Sequence, residues 1–278
     1  MGDTYVNIFL NSAIAEGSPT AALTLLLLFL ARILPIISLA PFFGSRVLPH
    51  PVKVTFGISL FVIFLPHLLV VTKTAVEYNT FAILLFAKEL FVGFVLGFMV
   101  SIPFTIAQSA GMLVDHQRGG ASLMVNDPTI QNQSSPIGTL LNLVLIYLFF
   151  AIDAPFLFID AILTSYELIP PDQFVNPQIF NPDSDFVAML IPLLNKAMKI
   201  AAQLATPALM AILMTDVFLG IANRLAPQVQ ITFLGLPLKS LMGLTVICIG
   251  WKALTNQMVI ESYSWLHFIE EMLILFKP

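Results

Sequence analysis

Charged side chains interrupt the most apolar stretches of this sequence, and they are the residues whose chemistry can be stated first. They are Arg32, Lys88, Glu89, Asp153, Asp160, Lys196, Lys199, Asp216 and Arg224. An ionised group surrounded by lipid is costly, so charges inside apolar helices usually pair with other groups or serve the passage of ions and protons. Helical spacing would place Asp153 with Asp160 on one face, and Lys196 with Lys199 on another.

The sequence leaves two interpretations of these charges open. In the first, they pair with one another or with a partner subunit and fix how the helices pack. In the second, the chain is a secondary transporter in which Asp153, Asp160 or Asp216 couples transport to an ion. Several of the charges lie near the ends of apolar runs, where long side chains reach water at little cost. That position favours the first interpretation.

Other kinds of chemistry find no support in the sequence. It contains no Walker A, His-Glu-x-x-His or Gly-x-Ser-x-Gly motif. We expect no metal cluster, internal disulfide or cofactor, because Cys248 is the only cysteine and the histidines are far apart: His50, His67, His116 and His267. A membrane-embedded enzyme is therefore the weakest hypothesis, and we predict that the chain is not an enzyme. The net charge of −4 offers no basic surface for nucleic acid.

The composition of the chain indicates the kind of fold in which these charged residues lie. Hydrophobic residues make up 58% of the 278 and charged residues 10%, whereas soluble domains carry about 25% charged residues. A soluble protein of this size has too little interior to bury so much apolar surface, so we predict an all-α, multi-pass protein surrounded by membrane lipid. Residues 1–20 contain no Lys or Arg, and we expect the first apolar run to be a retained transmembrane helix rather than a signal peptide.

Seven apolar stretches are predicted to form helices. They are about Thr20–Phe43, Val52–Val71, Thr80–Val114, Ile137–Ile169, Asp185–Leu225, Ile231–Leu254 and Met258–Phe276. The fourth stretch is predicted to be a hairpin or bent helix broken near Asp153–Pro155, and the last an amphipathic tail helix over about 258–276. The third and fifth stretches are too long for one simple span, so they must tilt, break or project from the bilayer. Seven prolines inside them predict kinks: Pro35, Pro66, Pro103, Pro155, Pro192, Pro207 and Pro237.

Two polar loops, about 117–136 and 170–184, separate the apolar runs. Neither is long enough to form a domain, so we predict a single helical membrane domain over residues 1–278. The stretch from Gly111 to Met124 passes from helix into a glycine-rich loop without becoming strongly polar. It could be an ordinary helix end with a turn, or a re-entrant or pore-facing loop, and the residues leave both interpretations open.

Three stretches with distinctive residues follow one another along the chain and together cover about residues 25–255. The first stretch is Arg32 with Ala40-Pro41-Phe42, Pro49 and Lys53; the second is Gly97-Phe98, Ala107, Gly111 and Asp115-His116-Gln117-Arg118-Gly119; the third is Asn223-Arg224-Leu225-Ala226-Pro227-Gln228 with Gly235-Leu236-Pro237-Leu238-Lys239-Ser240. In this order they resemble the FliR and SctT family of flagellar and injectisome export-gate proteins. The stretches at 117–119 and 237–240 look more like the injectisome branch than the flagellar one, although His116 stands where that branch usually has Asn.

The resemblance implies kinked helices and helical hairpins packed in an export gate of the bacterial inner membrane. The implied partners are SctR-like and SctS-like membrane subunits, an SctU-like switch protein and exported proteins in transit as unfolded chains. The loop at about 117–128 would form part of a pore plug, with Gln117, Arg118, Gly119, Gly120, Ser122, Leu123 and Met124 as its residues. The charges expected to serve assembly or packing are Arg32, Lys53, Asp216, Arg224 and Lys239.

Overall fold

A computed structural model describes residues 19–43, 48–119, 135–181, 184–225 and 231–275, and most of them are α-helical. The helices are α1 (Pro19–Leu39), α2 (His50–Val71), α3 (Thr80–Gln117), α4 (Pro136–Ala151), α5 (Ala154–Leu168), α6 (Asp185–Leu225), α7 (Ile231–Ile249) and α8 (Trp251–Leu275). Two 3-10 turns cover Pro41–Phe43 and Pro177–Phe180. The described ranges contain no β-strand, and the predicted all-α fold is confirmed.

Four of the described helices, α1, α2, α3 and α6, are long and apolar enough to cross a membrane. The number rises to six if α4 with α5, and α7 with α8, each count as one bent span. The helices α3 and α6 contain 38 and 41 residues and are thus about 57 and 61 Å long at about 1.5 Å per residue. Both exceed the hydrocarbon thickness of about 30 Å. The chain is therefore a multi-pass helical membrane protein, as predicted.

The break between α4 and α5 lies at an unusual backbone position. Asp153, between α4 and α5, has a φ of 57°, a left-handed conformation that Asp tolerates better than most residues. This confirms the predicted break there, and Pro155 falls in the first turn of α5, where its missing N–H costs nothing. The other six prolines lie inside helices that continue through them.

The end of the chain differs from the prediction. Helix α7 ends at Ile249 and the chain bends by 65° at Gly250 before α8 begins. The sequence placed the end of this run near Leu254 and the start of the tail helix near Met258, whereas the structure bends the chain at Gly250, where the missing Cβ permits a wide range of backbone conformations. Buried residues recur at helical spacing along α8, at Met258, Ser262, Trp265, Ile269 and Met272. The amphipathic tail helix over about 258–276 stays a prediction.

The described residues divide into two compact units, and the prediction of a single domain stays a prediction. Unit 1 comprises the described residues within 1–101, 153–191 and 264–278, and unit 2 those within 102–152 and 192–263. In unit 1, α1 packs on α2, and the fully buried Phe29 stacks on Tyr166 at 5.8 Å between ring centroids. Gly93 of α3 approaches the backbone of α1, since a Cβ there would overlap the Arg32 carbonyl group.

In unit 2, the backbones of α3 and α4 approach closely at two glycines. A Cβ on Gly111 would lie 2.6 Å from the carbonyl carbon of Ile137, and one on Gly138 would lie 2.8 Å from the carbonyl oxygen of Gln108. Helices α6 and α7 run antiparallel, because Leu219 lies by Gly235 and Ile212 by Gly243. These two helix pairs position the loop base described below.

Candidate functional site

A buried charged cluster in unit 1 is centred on Arg32 of α1, whose side chain is fully buried. Its Nε and Nη2 atoms donate to the two carboxylate oxygens of Glu89 at 2.5 and 2.8 Å. Its Nη1 donates to the Ser165 carbonyl at 2.9 Å and its Nη2 to the Ile169 carbonyl at 2.7 Å. The guanidinium carbon lies 4.0 Å from the centre of the Tyr166 ring. Arg32 therefore connects α1 to α3 and α5 through charge-assisted hydrogen bonds and a cation–π contact.

A second cation, Lys88, completes this cluster. Its Nζ lies 2.5 Å from Glu89 Oε1 and donates to the Pro170 carbonyl at 2.9 Å. Nearby in the same proline-rich segment, Asp172 accepts hydrogen bonds from the backbone N–H groups of Lys73 and Thr74 at 3.1 and 3.0 Å. The cluster thus ties the segment after α5 to α3, while Asp172 ties it to the segment after α2.

These contacts make Arg32, Lys88 and Glu89 a paired, hydrogen-bonded set. Removing one partner of such a set leaves an uncompensated charge in an apolar surrounding, which costs about 3–5 kcal/mol. Sequence reasoning named all three as charges in apolar runs, but it placed only Arg32 among the packing charges. The signal that could have completed the set is the presence of one carboxylate, Glu89, between two cations inside apolar stretches.

Unit 2 contains the base of the loop predicted as a plug. Asp115, in the last turn of α3, is fully buried. Its Oδ2 accepts a hydrogen bond from the hydroxyl of Ser135, the N-cap residue of α4, and another from the Ile137 N–H at 2.9 Å. The Ser135 Oγ also accepts from the Gly138 N–H at 2.9 Å, as an N-cap should. One carboxylate therefore holds the last turn of α3 against the first turn of α4.

The other side of Asp115 contacts the start of the loop. Arg118 Nη2 lies 2.6 Å from Asp115 Oδ1, and Arg118 Nη1 donates to the hydroxyl of Ser240 on α7 at 3.1 Å. Gly119 has a φ of 89°, which glycine adopts without strain, and it lies against Leu236 of α7. The loop thus leaves α3 along α7 and returns to α4 at the same buried carboxylate.

The structure places only part of the predicted plug residues. Gln117 is the last residue of α3, and Arg118 and Gly119 form the turn after it. Gly120, Ser122, Leu123 and Met124 lie outside the described residues, so the plug assignment stays a prediction. Sequence reasoning did not include Asp115, Ser135 or Ser240 among the site residues. The Ser135-Pro136 dipeptide before an apolar run, a common helix start, was the available signal.

The remaining predicted packing charges have different surroundings. Lys239 of α7 forms an ion pair with Asp216 of α6, and both side chains are partly exposed. Lys53 is buried in α2, whereas Arg224 is exposed in the last turn of α6. Their role in assembly or packing stays a prediction.

The three aspartates proposed for ion coupling have different surroundings. Asp216 is paired with Lys239, and both Asp153 and Asp160 have exposed side chains. Within the part of the chain that the structure describes, no three His, Cys, Asp or Glu side chains come together as metal ligands would. Among the described residues, the surroundings of these three aspartates give the second interpretation of the charges no support.

Comparison with known proteins identifies relatives of this chain. The family model for "Bacterial export proteins, family 1" matches residues 23–264. The chain is 33% identical to Yop proteins translocation protein T of Yersinia pestis over 181 residues, which are 65% of this chain and 68% of the relative. It is 25% identical to the secretion system apparatus protein SsaT of Salmonella typhimurium, over 66% of this chain and 69% of the relative. It is 29% identical to the flagellar biosynthetic protein FliR of Bacillus subtilis, over 81% of this chain and 85% of the relative.

These matches test the predictions drawn from the resemblance. The relatives are named for translocation, a secretion apparatus and flagellar biosynthesis rather than for a chemical reaction, so the prediction that the chain is not an enzyme is confirmed. The predicted resemblance to the FliR and SctT family, with the injectisome branch favoured over the flagellar one, is also confirmed. The family model runs from within α1, through the Asp115 loop base, into α8, and the chain belongs to the bacterial export proteins of family 1, the FliR and SctT family.

Proposed function

We propose that this chain is a subunit of the inner-membrane export gate of a type III protein secretion system. It forms part of the channel through which unfolded substrate proteins pass, and the loop at about 117–128 contributes to a plug that closes the channel. Its partners are SctR-like and SctS-like membrane subunits and an SctU-like switch protein. The family supports the role in protein export, and the paired charges of unit 1 suit a packed subunit better than an ion-coupled transporter.

The observation that carries the plug proposal is the contact set of Asp115. A plug loop must hold a fixed position across the pore, and fixing both of its ends to the same buried group reduces the number of conformations that the loop can adopt. Asp115 contacts Arg118 at the start of the loop and Ser135 at its end, and Arg118 reaches Ser240 on α7. The loop between them is thus closed at its base by a buried carboxylate, in a unit whose helices are apolar enough to lie in a membrane.

The test measures leakage of a small solute through the assembled gate in vesicles. Deletion of Gly120–Val125 should open a leak, because the residues that fill the channel would be missing. Asp115→Asn should open a smaller leak, since the amide keeps the size of the side chain but loses the ion pair with Arg118. Solute efflux is recorded only for complexes shown by co-purification to contain the SctR-like and SctS-like subunits.

Asp160→Asn is the matched control, because Asp160 is an exposed aspartate outside the loop base. It should leave the vesicles tight. If the deletion variant assembles and its vesicles stay as tight as wild type, the loop is not a plug. If the chain alone takes up solute and Asp160→Asn abolishes the uptake, the transporter hypothesis replaces the export gate.

A further inference from the structure

Helices α6 and α7 of unit 2 form an apolar hairpin with an ion pair near its middle. Asp216 of α6 pairs with Lys239 of α7, and close glycine contacts between the two helices lie on both sides of the pair. Lys239 is the ninth of the nineteen residues of α7, a helix about 28 Å long at about 1.5 Å per residue. This length is close to the hydrocarbon thickness of about 30 Å. A hairpin that crosses the membrane therefore places the pair near the centre of the bilayer.

The ion pair is only partly covered by the chain itself. The side chain of Asp216 is 35% exposed and that of Lys239 is 23% exposed. The neighbouring exposed side chains on α6 are apolar, with Leu213 at 45% and Val217 at 59% exposure. Lipid chains cannot form hydrogen bonds, so charged groups near the centre of a bilayer usually face other protein or a water-filled cavity. The exposed part of this pair thus requires a cover that lipid does not provide.

Gly220 indicates which side of α6 is covered. It lies one helical turn after Asp216, so the two residues share a face, and it is exposed. A Cβ at Gly220 would meet no atom within 4 Å in the part of the chain that the structure describes. A glycine inside a helix costs about 1 kcal/mol relative to alanine, and the packing of the described residues gives no reason for it. In membranes, small residues let a second helix approach closely.

We propose that the face of α6 formed by Leu213, Asp216, Val217 and Gly220 is the docking surface for a transmembrane helix of another export-gate subunit. The backbone of that helix crosses α6 at Gly220. One of its neutral polar side chains, a hydroxyl or an amide, forms a hydrogen bond with the exposed part of the ion pair. The side chain is neutral because Asp216 and Lys239 already compensate each other, and a further ion would lack a counter-charge. The proposal rests on the export-gate assembly proposed above, but not on the plug.

The first test measures assembly. The chain is co-expressed with the SctR-like and SctS-like subunits, and native mass spectrometry gives the ratio of complexed to free chain. Gly220→Leu should lower this ratio about tenfold, which corresponds to about 1.4 kcal/mol, because the leucine side chain would occupy the crossing point. The melting temperature of the isolated variant in detergent should not fall, since the new side chain points into open space. This readout separates assembly from folding.

A second variant tests the polar contact. Asp216→Leu combined with Lys239→Leu removes both charges together, so neither is left without a partner. It should lower the same ratio, because the neutral side chain of the docked helix would lose its hydrogen-bond partner. Ala202→Leu is the matched control. It adds the same side chain to the same side of α6, eighteen residues before Gly220 and thus about 27 Å away, and it should leave the ratio unchanged.

Cross-linking identifies what covers the face. The photoreactive residue p-benzoylphenylalanine replaces Leu213 or Val217 in the complex of defined subunits, and mass spectrometry identifies the adduct. We expect a peptide of the SctR-like or SctS-like subunit. Adducts with lipid alone, or with a second copy of this chain, would overturn the proposal.

The assembly measurements can also overturn it. Unchanged ratios for Gly220→Leu and for the double leucine variant would show that this face is not an interface. An equal loss with Ala202→Leu would show that any enlargement of this side of α6 weakens assembly. If the wild-type chain forms no complex with either subunit, the export-gate assembly itself fails, and this proposal fails with it. Assembly of wild type together with unchanged variants overturns only the docking surface.

Discussion

The charged cluster of unit 1 and the loop base of unit 2 both bury an ion pair in apolar surroundings, but they connect different kinds of structure. In unit 1, Arg32 and Lys88 share Glu89, and carbonyl groups at the end of α5 and just after it accept hydrogen bonds from their other N–H groups. In unit 2, Asp115 contacts the two ends of one loop through Arg118 and Ser135. The first arrangement fixes helices to one another, whereas the second fixes only where a loop begins and ends.

The two regions also differ in exposure. The side chains of Arg32 and Glu89 are 0% exposed, while that of Arg118 is 13% exposed. A partner that reaches solvent can exchange a protein contact for water at low cost, whereas a fully buried partner cannot. We therefore expect damage in unit 1 to reduce the stability of the fold, and damage in unit 2 to change mainly the behaviour of the loop.

The largest expected effect comes from Glu89→Gln. This change leaves Arg32 and Lys88 without a carboxylate in contact, so it should lower the free energy of unfolding by about 3–5 kcal/mol. Because domains are stable by only about 5–15 kcal/mol, the variant should accumulate poorly and elute as aggregate in detergent size-exclusion chromatography. The melting temperature of any monodisperse fraction measures the effect directly.

Glu167→Gln is the control for this change. Glu167 lies on α5 of the same unit, its side chain is 59% exposed, and its carboxylate is 3.8 Å from the His67 ring nitrogen. Removing its charge should therefore change the melting temperature very little. Arg32→Lys supplies an intermediate, because it keeps the charge but loses the paired hydrogen bonds to Glu89. Equal melting temperatures for the Glu89 and Glu167 variants would refute the idea that the cluster holds unit 1 together.

The backbone contacts of the two regions give the next largest effect. Gly93→Ala in unit 1 and Gly111→Ala in unit 2 each place a Cβ on the backbone of a neighbouring helix, and the required shift should cost about 1–3 kcal/mol. Gly220→Ala is the matched control, because a Cβ at this exposed position of α6 meets nothing within 4 Å. Since alanine favours helix over glycine by up to about 1 kcal/mol, thermal unfolding in detergent should show Gly220→Ala as neutral or stabilising.

The two glycine variants should differ in their effect on solute leakage. Gly93→Ala moves α3 against the backbone of Arg32, so it should lower the melting temperature without opening a leak in vesicles. Gly111→Ala moves α3 against Ile137 and Gly138, next to the loop base, so it should also increase solute leakage through the assembled gate. Identical leakage for both variants would mean that the loop base has no special link to channel closure.

The helices could be predicted from sequence more completely than the contacts between them. Apolar runs located all the helices except α8 to within a few residues, and the nearness of Asp153 to Pro155 in sequence located the break between α4 and α5. Gly250 was missed as a break because one glycine inside an apolar run is usually tolerated. The bend there depends on what packs beside it, which the sequence of one segment does not contain.

The partners of the buried charges could not be predicted for a similar reason. Arg32 and Glu89 are 57 residues apart, and helical periodicity predicts neighbours only three, four or seven residues apart. The carbonyl groups that accept hydrogen bonds from Arg32 and Lys88 belong to the backbone of the last turn of α5 and of the segment after it, where the type of side chain carries no signal. Asp115 with Arg118 was within reach of periodicity, as the two are three residues apart.

The smallest expected effect concerns Asp216 and Lys239, the partly exposed pair that joins α6 to α7 in unit 2. Asp216→Asn, Lys239→Gln and the double variant form a thermodynamic cycle, and the coupling between the two side chains should be about 0.2–1 kcal/mol, as for other ion pairs open to solvent. Melting temperatures of the full chain in detergent provide the four values. A coupling of several kcal/mol would place this pair in the same class as the Arg32 cluster and remove the contrast between the two units. The Asp216→Asn variant also tests whether Asp216 couples transport to an ion. If it does, neutralising it would abolish solute uptake by the chain alone; if Asp216 serves packing, the change would affect only stability.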